Sequence, residues 1–165
     1  MASLIGLNLS AGCVADIFEL GWNISETKDN YADAYVISRD GSMVTAKLGD
    51  KEFTVSSMID QTDPTEVLTA FFVSYFKQTE DWKNYVSPIV HEGRINVIED
   101  AWEELYGLAD FISISFSPDN FDEETGYYIV KIDGFYQGEE FDGEDEVALY
   151  QDAKTHQWYI SELPM

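Results

Sequence analysis

Residues 63–76 have the sequence DPTEVLTAFFVSYF, and this stretch predicts the buried helix on which the rest of the fold packs. Asp63 suits the capping position of a helix N-terminus, Pro64 suits the first helical position, and Glu66 has the spacing of a capping box. The apolar residues come in pairs that recur every four residues: Val67-Leu68, Phe71-Phe72 and Tyr75-Phe76. This repeat gives one broad apolar face, which is typical of a helix in a protein core.

Two more helices are predicted after this stretch. Trp82, Tyr85 and Val86 indicate a short helix that Ser87-Pro88 ends. A longer helix is expected over residues 95–106, where apolar residues recur at helical spacing. These residues are Ile98, Ala101-Trp102 and Leu105-Tyr106.

After residue 110 the pattern changes to the alternation of a β-strand. In residues 112–117, ISISFS, apolar residues alternate with serines, which predicts a strand with one apolar and one polar face. An acidic loop is expected from Pro118 to Gly126. Further strands are predicted at Tyr127–Asp133, at Phe135–Phe141 as its continuation or its partner around Gly134, at Glu146–Gln151 and at His156–Ser161.

The first 62 residues predict a small separate section. A helix is expected over residues 4–20, followed by a meander of three strands at residues 34–38, 43–48 and 52–55. Asp40-Gly41 favours the tight turn between the first two strands. We therefore expect an α+β fold in which three helices pack on a curved antiparallel sheet, with domains at residues 1–62 and 63–165.

The order of three helices followed by an antiparallel meander resembles the nuclear transport factor-like superfamily, the cone-shaped fold of the SnoaL-like and cystatin-like groups. The resemblance covers residues 62–165. It rests on the aromatic helix Pro64–Phe76, on Tyr85–Pro88, and on the closing strands Val147–Tyr150 and Gln157–Ile160. The family's short hairpin between the second and third helices would be reduced to His91-Glu92-Gly93. The resemblance implies a pocket, which some members use for isomerase or dehydratase chemistry, and it allows a homodimer through the open sheet face.

The charge balance restricts the classes of partner. The chain has 165 residues, with 9 basic and 32 acidic side chains, and a formal net charge of −23. We expect no direct binding of nucleic acid, because that requires Lys and Arg to displace counterions from phosphates. Anionic membrane surfaces are disfavoured for the same reason, whereas a basic protein surface would be attracted. General solubility, or adaptation to salt or acid, is the alternative explanation of this charge.

The N-terminus allows two interpretations. Residues 9–13, LSAGC, resemble the end of a bacterial lipoprotein signal, but no Lys or Arg precedes Cys13. A folded helix with a buried Cys13 and a cytoplasmic location are favoured, and a lipoprotein or extracellular location is the alternative. With one cysteine no intrachain disulfide forms. No apolar run reaches the 18 residues needed for a membrane span.

We find no motif for catalysis, cofactors or metals. His91 and His156 lie in different predicted elements, and no nucleophile motif surrounds either. The acidic stretches Asp119–Glu124 and Asp142–Glu146 lack the spacing of a helix-loop-helix calcium site. We expect a protein that is not an enzyme and needs no cofactor.

The acidic segment from Asp119 to Glu146 is the most unusual feature. It contains eleven acidic residues and only Lys131 as a base, so its formal charge is −10. Aromatic residues are interleaved with the carboxylates, a combination found at interface hot spots. A solvated hairpin is the competing interpretation. The predicted partner-binding residues are Phe135, Tyr136, Glu139, Glu140, Phe141, Asp142, Glu144, Asp145 and Glu146.

Three functions follow from these observations. The first is an inhibitor, immunity or accessory protein whose acidic hairpin docks on a basic partner. The second is a DNA mimic that occupies the nucleic-acid site of a defence or repair protein. The third is a small-ligand pocket or enzyme of the SnoaL-like type, which a solvent-accessible cavity lined by His91 or an Asp would favour.

Overall fold

The helices and strands confirm the α+β prediction. The computed structural model describes residues 33–56, 58–89 and 91–164. The strands are β1 (Tyr35–Asp40), β2 (Met43–Leu48), β3 (Lys51–Glu52), β4 (Phe111–Phe116), β5 (Phe121–Asp122), β6 (Tyr127–Tyr136), β7 (Glu139–Gln151) and β8 (Trp158–Glu162). The helices are α1 (Pro64–Lys77), a 3-10 helix (Glu80–Tyr85), α2 (His91–Ala101) with a π-helical extension (Trp102–Tyr106), and a short 3-10 turn (Pro118–Asn120). The predicted helix at residues 4–20 and the LSAGC stretch lie outside the described residues.

The strands form one antiparallel sheet in the order β8-β7-β6-β4-β1-β2-β3, with β5 beside β6. Strand β1 lies inside the sheet and pairs with β2 on one side and with β4 on the other. The predicted meander and the strands after residue 110 therefore belong to the same sheet. Ala34–Met165 forms one compact unit. No helix in the described part of the chain is long and apolar enough to cross a membrane.

Helix α1 begins where the sequence predicts. The side chain of Asp63 accepts a hydrogen bond from the backbone N–H of Thr65 at 2.8 Å, and Pro64 occupies the first turn. The predicted capping box forms differently, because Glu66 accepts from the N–H of Asp60 at 3.1 Å. The N–H of Asp63 donates to the carbonyl of Asp60 instead. The loop before the helix is thus tied to its first turn.

Aromatic rings join α1 to the helices that cover it. The ring centroid of Tyr75 lies 5.5 Å from that of Trp82, 5.3 Å from that of Trp102 and 5.6 Å from that of Tyr106. The Tyr75 hydroxyl donates to the carbonyl of Ile98 at 2.7 Å, and burial raises the pKa of Tyr75. On its other side α1 packs against β1, β2 and β8. The predicted core helix is therefore buried between the sheet and the other helices.

Several boundary predictions were wrong. The third helix begins at His91 rather than residue 95, so His91-Glu92-Gly93 forms its first turn and not a hairpin. Glu92 suits that turn, since acidic side chains stabilise helix N-termini. Strand β6 does continue through Gly134 as far as Tyr136, but the predicted strand Phe135–Phe141 is interrupted by a turn at Gln137-Gly138, and β7 runs from Glu139 to Gln151 without a break at residue 146. The edge of the meander is shorter than expected, with β3 at Lys51–Glu52.

A buried arginine joins the sheet to the end of the second helix. The side chain of Arg39 on β1 is 7% exposed. Its guanidinium donates to the carbonyls of Gly41 at 2.7 Å, of Tyr106 at 2.5 Å and of Ala109 at 2.9 Å. It also lies 5.2 Å from the ring centroid of Trp102. Burial lowers the pKa of Arg39, and Asp110 partly offsets this effect. A cation suits this place because carbonyls at a helix C-terminus carry partial negative charge.

We expect Arg39→Met to lower the free energy of unfolding by about 2–4 kcal/mol, because three carbonyls lose a charged donor. The matched control is Arg94→Met. Arg94 makes a part-exposed ion pair with Glu162 at 3.7 Å, and its loss should cost less than about 0.5 kcal/mol. Urea unfolding of both variants measures the difference. Equal effects would show that Arg39 does not hold the helix end to the sheet.

Candidate docking surface

A two-residue turn sets the register of the β6–β7 hairpin. Gln137 and Gly138 have φ of 52° and 84°, and turns with two positive φ values match the twist of paired strands. Tyr136 lies opposite Glu139, and the pairing runs without a shift to Tyr127 opposite Ala148. Opposite residues share a face of the sheet. This register therefore decides, for each side chain of the hairpin, on which of the two faces it lies.

The inner face of the hairpin is the one that joins the core. Tyr128, Val130 and Val147 are fully buried and belong to the same apolar cluster as α1. Side chains alternate along a strand, so the residues between these form the outer face. The outer residues of β6 are Tyr127, Ile129, Lys131, Asp133 and Phe135, and those of β7 are Glu140, Asp142, Glu144, Glu146 and Ala148.

This alternation divides the predicted partner-binding residues into two groups. The outer face has Phe135, Glu140, Asp142, Glu144 and Glu146. The inner side has Tyr136, Glu139, Phe141 and Asp145. Phe141 is half-buried, packs against the core cluster and lies over Gly134. The predicted segment is therefore a hairpin with two different sides rather than one uniform acidic surface.

A row of four outer residues crosses the end of the sheet. In register, Asp40 on β1 lies opposite Phe111 on β4, Phe111 opposite Phe135 on β6, and Phe135 opposite Glu140 on β7. Phe111 and Phe135 are 36% and 38% exposed. We call these four residues the acid-aromatic row. Two adjacent phenyl groups, both reachable by solvent, thus have a carboxylate on either side.

The acid-aromatic row lines an open cleft of about 690 Å³. The other lining residues are Asp110, Asp133, Gly134, Phe141 and Asp142. Five carboxylates therefore line the cleft together with three phenylalanines. The residues predicted from the sequence for this site did not include Asp40, Asp110 or Phe111. Their proximity to Phe135 depends on long-range strand pairing. The one local sign in the sequence was Phe111, an aromatic residue out of phase with the apolar positions Ile112, Ile114 and Phe116.

Asp133 and Asp142 are directly opposed on the outer face. The closing pair of a two-residue turn is hydrogen-bonded and the pairs then alternate, which places these aspartates in a non-hydrogen-bonded pair. The bond from the N–H of Leu149 to the carbonyl of Gly126, at 2.7 Å, fits the same alternation. Side chains are closest in such pairs. Burial raises the pKa of Asp133, Lys131 partly offsets this, and Asp142 raises it further.

The two histidines lie away from this cleft. His91 is exposed, and its Nε2 is 3.1 Å from the carbonyl oxygen of Lys83. His156 is exposed in the turn between β7 and β8. A second cleft of about 550 Å³ is more apolar and has Tyr35, Phe53 and Val55 in its lining, but neither histidine. Within the described ranges, no three His, Cys, Asp or Glu side chains are grouped to hold a metal ion.

Comparisons of the chain with protein-family models, with curated proteins and with solved structures found no match. The α+β architecture is therefore supported by the structure alone.

We expect Gly134→Ala to lower the free energy of unfolding by about 1–3 kcal/mol. A Cβ atom at Gly134 would overlap Cζ of Phe141, so the ring would have to move. Gly143→Ala is the matched control on β7, because nothing lies within 4 Å of its Cβ position. Chemical unfolding compares the two variants. Equal stability of both would contradict the packing of Phe141 on Gly134.

We expect Asp133→Asn to stabilise the protein at pH 7 by about 0.2–1 kcal/mol, since it removes a partly buried charge and its repulsion from Asp142. A raised pKa in the folded state means that stability falls as pH rises through that pKa. The gain should therefore vanish near pH 3, below the ordinary aspartate pKa of about 3.9. Urea unfolding at both pH values tests this, with the exposed Glu123→Gln as control. A gain that persists at pH 3 would contradict the electrostatic cause.

Proposed function

We propose that this chain is a non-enzymatic, acidic protein-binding module, an inhibitor, immunity or accessory protein that docks on a basic partner. The observation that supports this most is the acid-aromatic row of Asp40, Phe111, Phe135 and Glu140 in an open cleft. A partner surface that covers the two partly exposed phenyl rings would remove their apolar area from water.

The chemistry of the cleft suits an arginine or lysine side chain of the partner. A guanidinium stacks on an aromatic ring and pairs with carboxylates at the same time. Asp133 and Asp142 repel each other in the free protein, and a cation bound between them would remove that repulsion. The net charge of −23 would in addition speed the encounter with a basic protein.

The likeness to the nuclear transport factor-like superfamily is part of the same proposal. An aromatic helix α1 against an antiparallel sheet supports it, as does the closing strand with the buried Trp158. The meander β1–β3 has no counterpart in the resemblance. The proposal for function rests on the docking surface and not on this likeness.

A DNA mimic is the second candidate. Glu140, Asp142, Glu144 and Glu146 form a row on the outer face of β7, with about 6.7 Å between successive residues of the row. A straight row of carboxylates is the kind of feature that could replace a phosphate backbone. The partner would then be a nucleic-acid-binding protein, and its site for this chain would be the same as its site for DNA.

The test is a charge reversal with a matched control. Glu140→Lys/Asp142→Lys reverses two cleft charges, and Glu103→Lys/Glu104→Lys makes the same change in net charge on the exposed side of the π-helical extension. The partner is obtained by capture with the native chain and then purified. We expect the first variant to weaken binding by about 100-fold and the control by less than about threefold. Unchanged binding, or equal loss in both variants, would refute the proposal.

Competition with duplex DNA separates the two candidates. A 30-base-pair duplex should release the chain from a partner whose DNA site it occupies. A partner held at another basic surface should stay bound at the same salt concentration.

A further inference from the structure

Among the strands that the structure describes, the first part of β7 forms an edge of the sheet. Strand β8 pairs with Ala148–Gln151 at the end of β7. Within the described part of the chain, Glu139–Val147 pairs with β6 on one side and forms the sheet edge on the other. A strand edge offers a row of backbone N–H and carbonyl groups with which an extended chain can pair.

The hairpin register indicates which residues offer those groups. Tyr136 and Glu139 close the two-residue turn, so the backbone groups of Glu139 and Phe141 point towards β6. The backbone N–H and carbonyl groups of Glu140 and Asp142 point away from β6, out of the sheet edge. The N–H of Glu146 accords with this direction, because it donates to the side chain of Asp145 at 2.8 Å rather than to β6.

The residues that offer outward backbone groups also have acidic side chains on the outer face. Glu140 and Asp142 combine an outward N–H and carbonyl with a carboxylate beside the cleft. An added strand would place every second side chain on the same outer face. These side chains would lie next to carboxylates, which favour Lys or Arg. A second copy of this chain would instead bring like charges together.

We propose that the partner contributes an extended segment with basic residues at alternate positions, and that this segment pairs with the edge of β7 as an additional strand. The proposal rests on the proposed docking function and specifies how docking occurs. Backbone hydrogen bonds hold the segment, and the alternate basic side chains select it. The acidic side chains also keep two copies of the chain from pairing edge to edge.

The test uses a synthetic eight-residue peptide with alternating Lys and Val and blocked ends. One version has N-methyl groups on the Lys amides and another has them on the Val amides, so charge is unchanged while one set of donors is removed. In a paired strand only one set faces β7. We expect one methylated peptide to bind at least about tenfold more weakly and the other within about threefold of the parent. Loss with the Lys set would indicate antiparallel pairing, and loss with the Val set parallel pairing.

A pair of protein variants tests the same edge from the other side. Asp142→Asn removes the charge, and Asp142→Pro removes the charge together with the outward N–H. We expect the Pro variant to bind the parent peptide about tenfold more weakly than the Asn variant. Thermal unfolding checks that both are folded, and the peptide comparison stands if the Pro variant is not.

The outcomes separate this inference from the docking function. If both methylated peptides bind like the parent while Glu140→Lys/Asp142→Lys weakens binding, docking stands and strand pairing is overturned. If that charge reversal leaves peptide binding unchanged, the docking function is refuted as well. Hydrogen exchange at the amides of Glu140 and Asp142 should slow when the peptide is added. If these amides already exchange slowly without peptide, and exchange still more slowly at higher protein concentration, the edge pairs with a second copy and the proposal is overturned.

Discussion

The burial of α1 is the constraint on which the other features depend. Nearly all of its residues from Thr65 to Phe76 are buried, because the sheet lies on one side and the remaining helices on the other. The sheet must therefore present apolar residues to α1 on its inner face. The strands alternate, so most of their charged residues lie on the outer face or at the edges, and Arg39 is a buried exception. Four of the carboxylates that line the cleft, Asp40, Asp133, Glu140 and Asp142, therefore lie on the face of the sheet away from α1.

The hairpin β6–β7 combines structural and candidate functional roles. Its inner side holds Phe141 over Gly134 and contributes to the core. Its outer side opposes Asp133 and Asp142, which is unfavourable for the isolated fold. Such unfavourable local features are expected where a surface serves binding as well as folding. The buried residues of the hairpin and its opposed aspartates lie on opposite sides of the same two strands.

Much of the fold could be predicted because its signals are local. The cap at Asp63, the apolar pairs of α1 and the serine alternation of β4 each depend on residues within one or two turns or a single strand. The start of α2 and the unbroken β7 were missed. Glycine and acidic residues weaken a local strand signal, yet Gly143 and its neighbours stay extended because β6 pairs with them along their whole length. The predicted site was incomplete for the same reason, because only strand register brings Asp40 and Phe111 next to Phe135.

The sequence by itself determined the class of fold, the central helix and the excess of negative charge near the C-terminal hairpin, because composition and short-range periodicity suffice for these. Only the tertiary structure decided which carboxylates share a face with exposed aromatic rings and which backbone groups form an edge. The reason is the period of two in a β-strand: a register shifted by one residue would exchange the two faces. That register depends on a turn at Gln137-Gly138 and on pairing between strands far apart in the chain.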